Sequence, residues 1–349
     1  MKNTSLLNRL IYIFNLILIA VWGVAFIAPY LNPKSFSISA ILAIGYPMIL
    51  ALHVMLIIYW LLRFNKRIVG SLLTIILSYF FSSPILQPKS SFKALAKDQS
   101  FSIMSFNSQL AYFSGGKKEE VEKHQSKIAH FIKQEDADIV CLQEVRMAMS
   151  INLNYPYTKA YGFSQIHSKY EIVSSEKIEF DEKSTNNSCF ADLKIQKDTI
   201  RVYNLHLESL HLGYEDYNLF KRKSDSQTGN EFQDNTKNLK HKIRLASSKR
   251  VNQVEKILRS IANSPYPTII CGDFNDVPQS YIYKKLTNNH KDAFIESGKG
   301  YGATYRQLIL PFRIDYILAH KQWNAYNFEV LEDNLSDHQA IRCDIEFNQ

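Results

Sequence analysis

Seven short strings hold the residues whose types and spacing could do chemistry: SFN (105–107), QEV (143–145), NLHL (204–207), GDFND (272–276), TY (304–305), RIDY (313–316) and SDH (336–338). They contribute the amides Asn107 and Asn275, the acids Glu144, Asp273, Asp315 and Asp337, and the imidazoles His206 and His338. Carboxylates are the hard oxygen donors that hold a divalent cation, and amides and imidazoles can meet phosphoryl oxygens or a water. That donor set suits metal-assisted cleavage of a phosphate ester.

Each position also has an ordinary reading. Glu144 follows the apolar run IVCLQ, at the end of what reads as a buried strand. A carboxylate is costly there unless it is paired or bound to a cation, so a salt bridge with Arg146 or a lysine competes with Mg²⁺. Asp273 and Asn275 follow PTIIC; Gly272 permits a tight exit from the strand and Pro278 prevents its continuation. A plain turn would use the same Gly, Asp and Asn. Asp337 could bind the metal, and His338 could act on a phosphoryl oxygen or a water if a carboxylate holds its tautomer. Asp315 is the natural partner, although it could instead pair with Arg313 at the surface. His206 lies in an alternating strand, where a lone His is more often a satisfied structural residue.

The elements that must position these residues alternate between strand and helix. Apolar or alternating runs predict strands at 101–107, 138–145, 188–195, 200–207, 267–273, 313–319 and 339–347. Helical periodicity predicts helices at 118–134 and 243–262. Residues 101–349 read as one α/β domain, and the polar, Lys- and Ser-containing segment 87–100 as a linker. The cysteines Cys141, Cys189, Cys271 and Cys343 lie in strand-like runs without metal-binding spacing.

The net charge of +8 belongs wholly to the N-terminal part. Residues 1–97 contain nine Lys and Arg and no acid, which leaves 32 basic against 33 acidic residues beyond them. A basic nucleic-acid footprint over the catalytic part is therefore not implied. Three uncharged apolar stretches there, about 10–31, 37–62 and 68–86, predict three transmembrane helices. The first run competes with a cleaved signal peptide, but no clear cleavage site follows it. The third, with Ser71, Ser78, Ser82 and Ser83, competes with a buried core helix. Positive charges flanking the stretches favour a cytoplasmic N-terminus by five to four, with Lys2, Arg9, Arg63, Lys66 and Arg67 on one side. Three spans then put the catalytic domain on the extracytoplasmic side of a plasma (inner) membrane.

Taken in order, the seven strings resemble the endonuclease/exonuclease/phosphatase superfamily, which includes pancreatic-type DNases, abasic-site endonucleases, neutral sphingomyelinases and inositol polyphosphate 5-phosphatases. The resemblance covers roughly residues 100–347. It implies a four-layer α/β sandwich, two packed β-sheets flanked by helices, with the site at one end. It also implies Mg²⁺, with Mn²⁺ as a substitute, held chiefly by Glu144 with Asn107 and Asp337 beside it. Asp273 would position or deprotonate the attacking water, and Asn275 would donate to the phosphoryl group. His338, held by Asp315, would stabilise the transition state, and His206 would support the phosphate or the leaving oxygen. Thr304 and Tyr305 occupy a supporting position. Some members carry a metal-binding acid where this chain has Gln109, which puts a second metal in doubt.

The implied activity is hydrolysis of a phosphodiester, with a membrane-anchored nuclease as the first reading. A phosphodiesterase or phosphatase acting on a lipid headgroup or small ester is the second, and a non-catalytic membrane binding protein the third. No obligate protein partner is implied. Residues 221–259 carry eleven basic and four acidic residues, which could face a nucleic-acid backbone, anionic headgroups or solvent. Tyr214, Tyr217 and Phe220 precede them as candidate base-stacking or membrane-touching side chains.

Overall fold

A computed structural model describes residues 6–88, 90–96, 98–109, 118–145, 153–180, 184, 186–211, 229–307, 311–332 and 334–347. Arg146, Tyr214, Tyr217, Phe220 and residues 221–228 lie outside them.

One sheet contains β1 (Ser100–Asn107), β2 (Ile139–Gln143), β3 (Tyr157–Tyr161), β4 (Ser164–Ser168), β11 (Asn324–Leu331) and β12 (Ala340–Glu346), in the order β11-β12-β1-β2-β4-β3. The other contains β5 (Glu171–Ile178), β6 (Ser188–Ile195), β7 (Asp198–His206), β8 (Thr268–Asp273), β9 (His290–Asp292) and β10 (Asp315–His320), in the order β5-β6-β7-β8-β10-β9. Each has one parallel pair at its centre, β1 with β2 and β7 with β8. The other pairings are antiparallel.

Continuous apolar runs arise because the central strands bury both faces. From β1, Phe101 and Ile103 point into the core between the sheets, where Cys141 of β2, Cys271 of β8 and Ile341 of β12 meet them. Met104 and Phe106 point the other way, under Ile128 and Ile132 of α4 (Lys118–Glu135). Across the sandwich Tyr203, Leu205 and Ile270 pack under Val251, Val254 and Ile257 of α5 (Gly229–Ala262). The result is helix, sheet, sheet, helix, and each large aliphatic side chain so buried contributes about 1.5–3 kcal/mol. Gly272 is required at the β7–β8 contact: its φ is 131°, and a Cβ there would lie 1.9 Å from the carbonyl oxygen of Leu205.

The N-terminal helices α1 (Leu6–Ile27), α2 (Ile38–Leu62) and α3 (Ile68–Phe81) form a bundle with polar groups inside. Tyr59 donates to Asn8 at 2.7 Å, Ser71 to Asn15 at 2.9 Å, and both Trp22 and Tyr46 to Ser78 at 2.9 Å. Its outside is apolar, with Leu10, Ile17, Met55, Leu61, Leu73 and Phe80 exposed. A water-soluble bundle has the reverse arrangement.

By length, α1 with the following turn to Tyr30, and α2, are long and apolar enough to cross a membrane. The expected third span over 68–86 is not formed. α3 stops at Phe81 after 14 residues, where Ser82 turns extended and Pro84 follows. Its length of about 21 Å, at about 1.5 Å per residue, falls short of a hydrocarbon core of about 30 Å.

The bundle is not hung on a loose tether. Ala43 of α2 is buried with Val277 and Ile314 of the sandwich, and Gln279 donates to the carbonyl of Ser83 at 3.0 Å. Residues of the predicted linker are bound as well: Gln87 exchanges backbone hydrogen bonds with Gly300 at 2.8 Å, and Lys93 pairs with Glu346.

Candidate active site

Both parallel pairs deliver their C-terminal ends to the same rim of the sandwich. Asn107 ends β1, Glu144 follows β2, His206 ends β7 and Asp273 ends β8. Asp315 opens β10 as the antiparallel register partner of Asp273, and the segment before β12 supplies Asp337 and His338. Gln109, Glu144 and Asn275 have φ of 53°, 60° and 51°. Three of these exits therefore turn through the left-handed region, which costs about 1 kcal/mol or more for a non-glycine residue and is tolerated where surrounding structure imposes it.

Amide groups bind the acids together. Asn107 donates its Nδ2 to Glu144 Oε1 and Asp273 Oδ2, each at 3.1 Å, and its Oδ1 accepts the backbone N–H of Gln109 at 3.2 Å. Two carboxylates on one side leave the NH₂ as the group that must face them. Asn275 donates backbone N–H to Asp273 Oδ1 at 2.8 Å, and Nδ2 to Asp273 Oδ2 and to the carbonyl of Leu207. Asp273 is thus held on both oxygens.

His338 Nδ1 lies 2.9 Å from Asp315 Oδ2, and its Nε2 is 3.8 Å from Asp273 Oδ2. Thr304 Oγ1 accepts the backbone N–H groups of Ile314 and Asp315, at 3.1 and 3.2 Å, and so sets the start of β10. The Tyr305 ring lies 5.0 Å from that of His338. Arg313 is not the partner of Asp315. It is buried in an ion pair with Asp292 instead.

Burial and charge pull these groups in different directions. Desolvation works against a charged His338, but Asp315 and Asp273 outweigh it and hold the imidazole up at about 10. Desolvation raises Glu144 to about 7, against a lowering hydrogen bond from Asn107, and it raises Asp273 as well. His206 is pushed down to about 4 by burial. Its Nε2 lies 3.5 Å from Glu144 and 3.7 Å from Asp273, and neither ring nitrogen has a hydrogen-bond partner among the described residues.

This donor set fits a hard divalent cation. Glu144 has no lysine or arginine partner among the described residues, it borders a cavity of about 430 Å³, and Gln109, Asp273 and Asp337 border it too. Asp273, Asp315 and His338 offer ligand atoms within 4.8 Å of one another. Yet a protonated His338 paired with Asp315 has no lone pair to give a metal, so Glu144 is the better primary ligand.

Three supporting residues escaped sequence reasoning. Arg250 of α5, buried, donates to the carbonyl oxygens of Asn275 and Glu208 and lies 3.3 Å from Asp276, which holds the turn after β8. Gln143 donates to Asn204 at 2.7 Å, and Asn204 donates to the carbonyls of Leu142 and Gln165, which ties the two sheets together behind the site. An arginine on an amphipathic helix reads as solvated, so no signal marked Arg250. Gln143 and Asn204 stood inside the motif strings.

A two-sheet sandwich with acids, amides and a carboxylate-held imidazole at one rim defines the α/β-sandwich phosphoesterases as a class. The chain belongs to the Endonuclease/Exonuclease/phosphatase family, whose model matches residues 104–338. A second family model, a domain of unknown function (DUF8431), matches residues 8–85. Among solved structures, the endonuclease/exonuclease/phosphatase from Bacteroides vulgatus is 18% identical, with 71% of this chain and 99% of that one covered and a TM-score of 0.52. D. rerio TDP2 complexed with single strand DNA product is 18% identical, over 71% and 99%, with a TM-score of 0.50. A functionally unknown conserved protein from Enterococcus faecalis V583 is 15% identical, over 71% and 100%, also at 0.50. These likenesses are likenesses of fold. No curated protein matches.

Proposed function

We propose that the chain is a membrane-anchored, divalent-metal-dependent hydrolase of a phosphodiester. The observation that carries this reading is Asp273 held on both oxygens by Asn107 and Asn275, opposite a His338 kept charged by Asp315 and beside a Glu144 with no lysine or arginine partner among the described residues. Asp273, raised by burial, accepts a proton from the attacking water as its oxygen bonds to phosphorus in line with the leaving ester oxygen. The charged His338 faces the phosphoryl oxygens on which negative charge grows. Glu144, with Asp337 and Gln109 beside it, would hold Mg²⁺ or Mn²⁺, which neutralises that charge when bound. Asn107 orients the Glu144 carboxylate, and Thr304 and Tyr305 orient Asp315 and His338. His206, neutral and without a hydrogen-bond partner among the described residues, can donate to the phosphate or the leaving oxygen.

Anchoring is supported by the apolar exterior and polar interior of the helical bundle. The ends of α1 and α2 that carry Asn8 and Tyr59 lie away from the contact of Ala43 with the catalytic domain. With a cytoplasmic N-terminus, and with the chain returning along α3 and the extended residues after it to Ser83, that arrangement supports a catalytic domain outside the cytoplasm, at an inner (plasma) membrane. A reporter active only outside the cytoplasm, fused after Gln349, is expected to give signal; silence there with an active cytoplasmic reporter would reverse the orientation.

Two substrate classes fit such a site, and nucleic acid is the one exemplified by D. rerio TDP2 complexed with single strand DNA product. Lipid and small esters remain the other class that sequence resemblance implies. The full chain, given plasmid DNA, RNA, sphingomyelin, phosphatidylinositol phosphates and a bis-aryl phosphodiester, should turn over at least one of them with Mg²⁺ and none with EDTA. Turnover surviving both EDTA and Glu144→Ala would sink the metal-dependent reading.

A further inference from the structure

The cavity over Glu144, Asp273 and His338 has a second, apolar wall, and part of that wall belongs to the N-terminal bundle. Ile44 of α2 borders it, with Leu210, Leu239, Ile243, Phe312 and Ile314 from the catalytic domain. Ile44 is the only cavity-lining residue contributed by the bundle among the described residues. One residue earlier, Ala43 is buried against Val277 and Ile314, which fixes α2 at the rim.

The level of Ile44 along the bundle matters. Tyr46, half a turn further along α2, bonds to Ser78 and Ser82, at the end of α3. Trp22, near the end of α1, bonds to the same Ser78. Ile44 therefore sits within about two turns of the catalytic-side ends of all three helices. Phe36 and Ile38 are exposed beside it, and a groove with Ser37, Ile38 and Ile41 on one side has Lys240, His241 and Arg244 on the other. Apolar side chains flanked by basic ones are the composition of a bilayer interface, where anionic headgroups attract the cations.

No Lys or Arg borders the cavity among the described residues. A nucleic-acid strand is bound chiefly through rows of phosphate-neutralising cations and stacked bases; here His338 is the cation among the described lining residues, and Tyr305 and Phe312 are outnumbered by the aliphatic Ile44, Leu210, Leu239, Ile243, Val277 and Ile314. We infer that the substrate is an amphiphilic phosphate ester that remains in the bilayer, with its apolar part seated against Ile44, so that a membrane helix completes the active site and sets its specificity. This rests on the phosphodiesterase reading above and names its substrate class.

The test uses the full chain in maltoside micelles and two diesters with one leaving group, p-nitrophenyl hexadecyl phosphate and p-nitrophenyl ethyl phosphate. Micelles concentrate the long-chain ester on their own, so the readout is the change caused by substitution. Ile44→Ser and Leu239→Ser should each lower kcat/KM for the hexadecyl ester about tenfold and leave the ethyl ester within about twofold, while Ile44→Leu restores the preference. Equal loss on both esters, no loss on either, or cleavage of single-stranded DNA untouched by Ile44→Ser without a chain-length effect would overturn the inference. Binding of hexadecylphosphonate, read as a rise in Tm, separates the two readings. A rise in the wild type that Ile44→Ser abolishes, with neither ester cleaved, supports the amphiphile site and refutes the hydrolase; no rise and no chain preference refutes the amphiphile site.

Discussion

His338 Nδ1 and Asp315 Oδ2 stand 2.9 Å apart, both buried, at the ends of strands from different sheets. The carboxylate keeps the imidazole charged and aims its Nε2 at the rim. Asp315→Asn retains the shape and removes the anion. We expect kcat to fall about 10²-fold or more with KM little changed, because the lost interaction serves the transition state. An unchanged kcat in a folded variant would show that the pair is only structural.

Glu144→Gln keeps the hydrogen bond from Asn107 possible but withdraws the charge that would hold the cation. Hydrolysis should drop at least about 10²-fold, with heat of Mn²⁺ binding lost in calorimetry and Tm nearly preserved. Unaltered Mn²⁺ binding would place the metal elsewhere, with Asp273 and Asp337 as the next acids to replace.

Arg250→Met leaves Asp276 buried without its cation and frees the carbonyl of Asn275. Breaking one side of a buried ion pair costs about 3–5 kcal/mol. Denaturant unfolding should show a loss on that scale, and the variant should lose kcat as well, since the turn carrying Asn275 is released. A loss below 1 kcal/mol, in units where about 1 kcal/mol is typical of ordinary substitutions, would mean that the turn holds itself.

His167 and His290, both remote from the rim, are buried and held neutral, each pushed by desolvation down to about 4. His167 lies between Thr158 and Gln165, and His290 bonds to Thr268. Their folded pKa values lie below the unfolded one, so the unfolded chain takes up protons first as pH falls. The stability involved is fully present above about 6.5 and is lost on the way down to about 4, by about 3 kcal/mol for each group. Tm measured from pH 7 to pH 4 should fall, and less steeply in His290→Asn. Equal slopes would remove His290 from the account.

Much of the catalytic domain was legible because its central strands bury both faces. PTIIC and IVCLQ read as buried strands, and β6, β8 and α4 lie almost at their predicted bounds. β3, β4, β5, β9 and β11 lie outside the predicted strands; of these β3 and β5 are half-exposed edge strands, YTKAY and EIVSSEKI, whose mixed composition carries no strong alternation. The start of α5 was also missed, since its first two turns carry mostly polar residues and apolar periodicity begins near Ile243. The third span failed because apolar composition runs on through SSP, whereas backbone geometry ends the helix at Phe81.

The sequence by itself determined the chemistry: acids, amides and imidazoles placed at strand exits, where a buried charge needs a partner. Tertiary structure decided who the partners are. Asp315 chose His338 over Arg313 because β10 and the segment before β12 meet across the sheets, and Asn107 faces two carboxylates because β1 ends between β2 and β8's rim. It also brought Ile44 to the cavity, across more than 200 residues of chain from Asp273. Local pattern records which side chains want burial or water, but contacts between distant segments depend on how whole layers pack, and no short stretch of sequence encodes that.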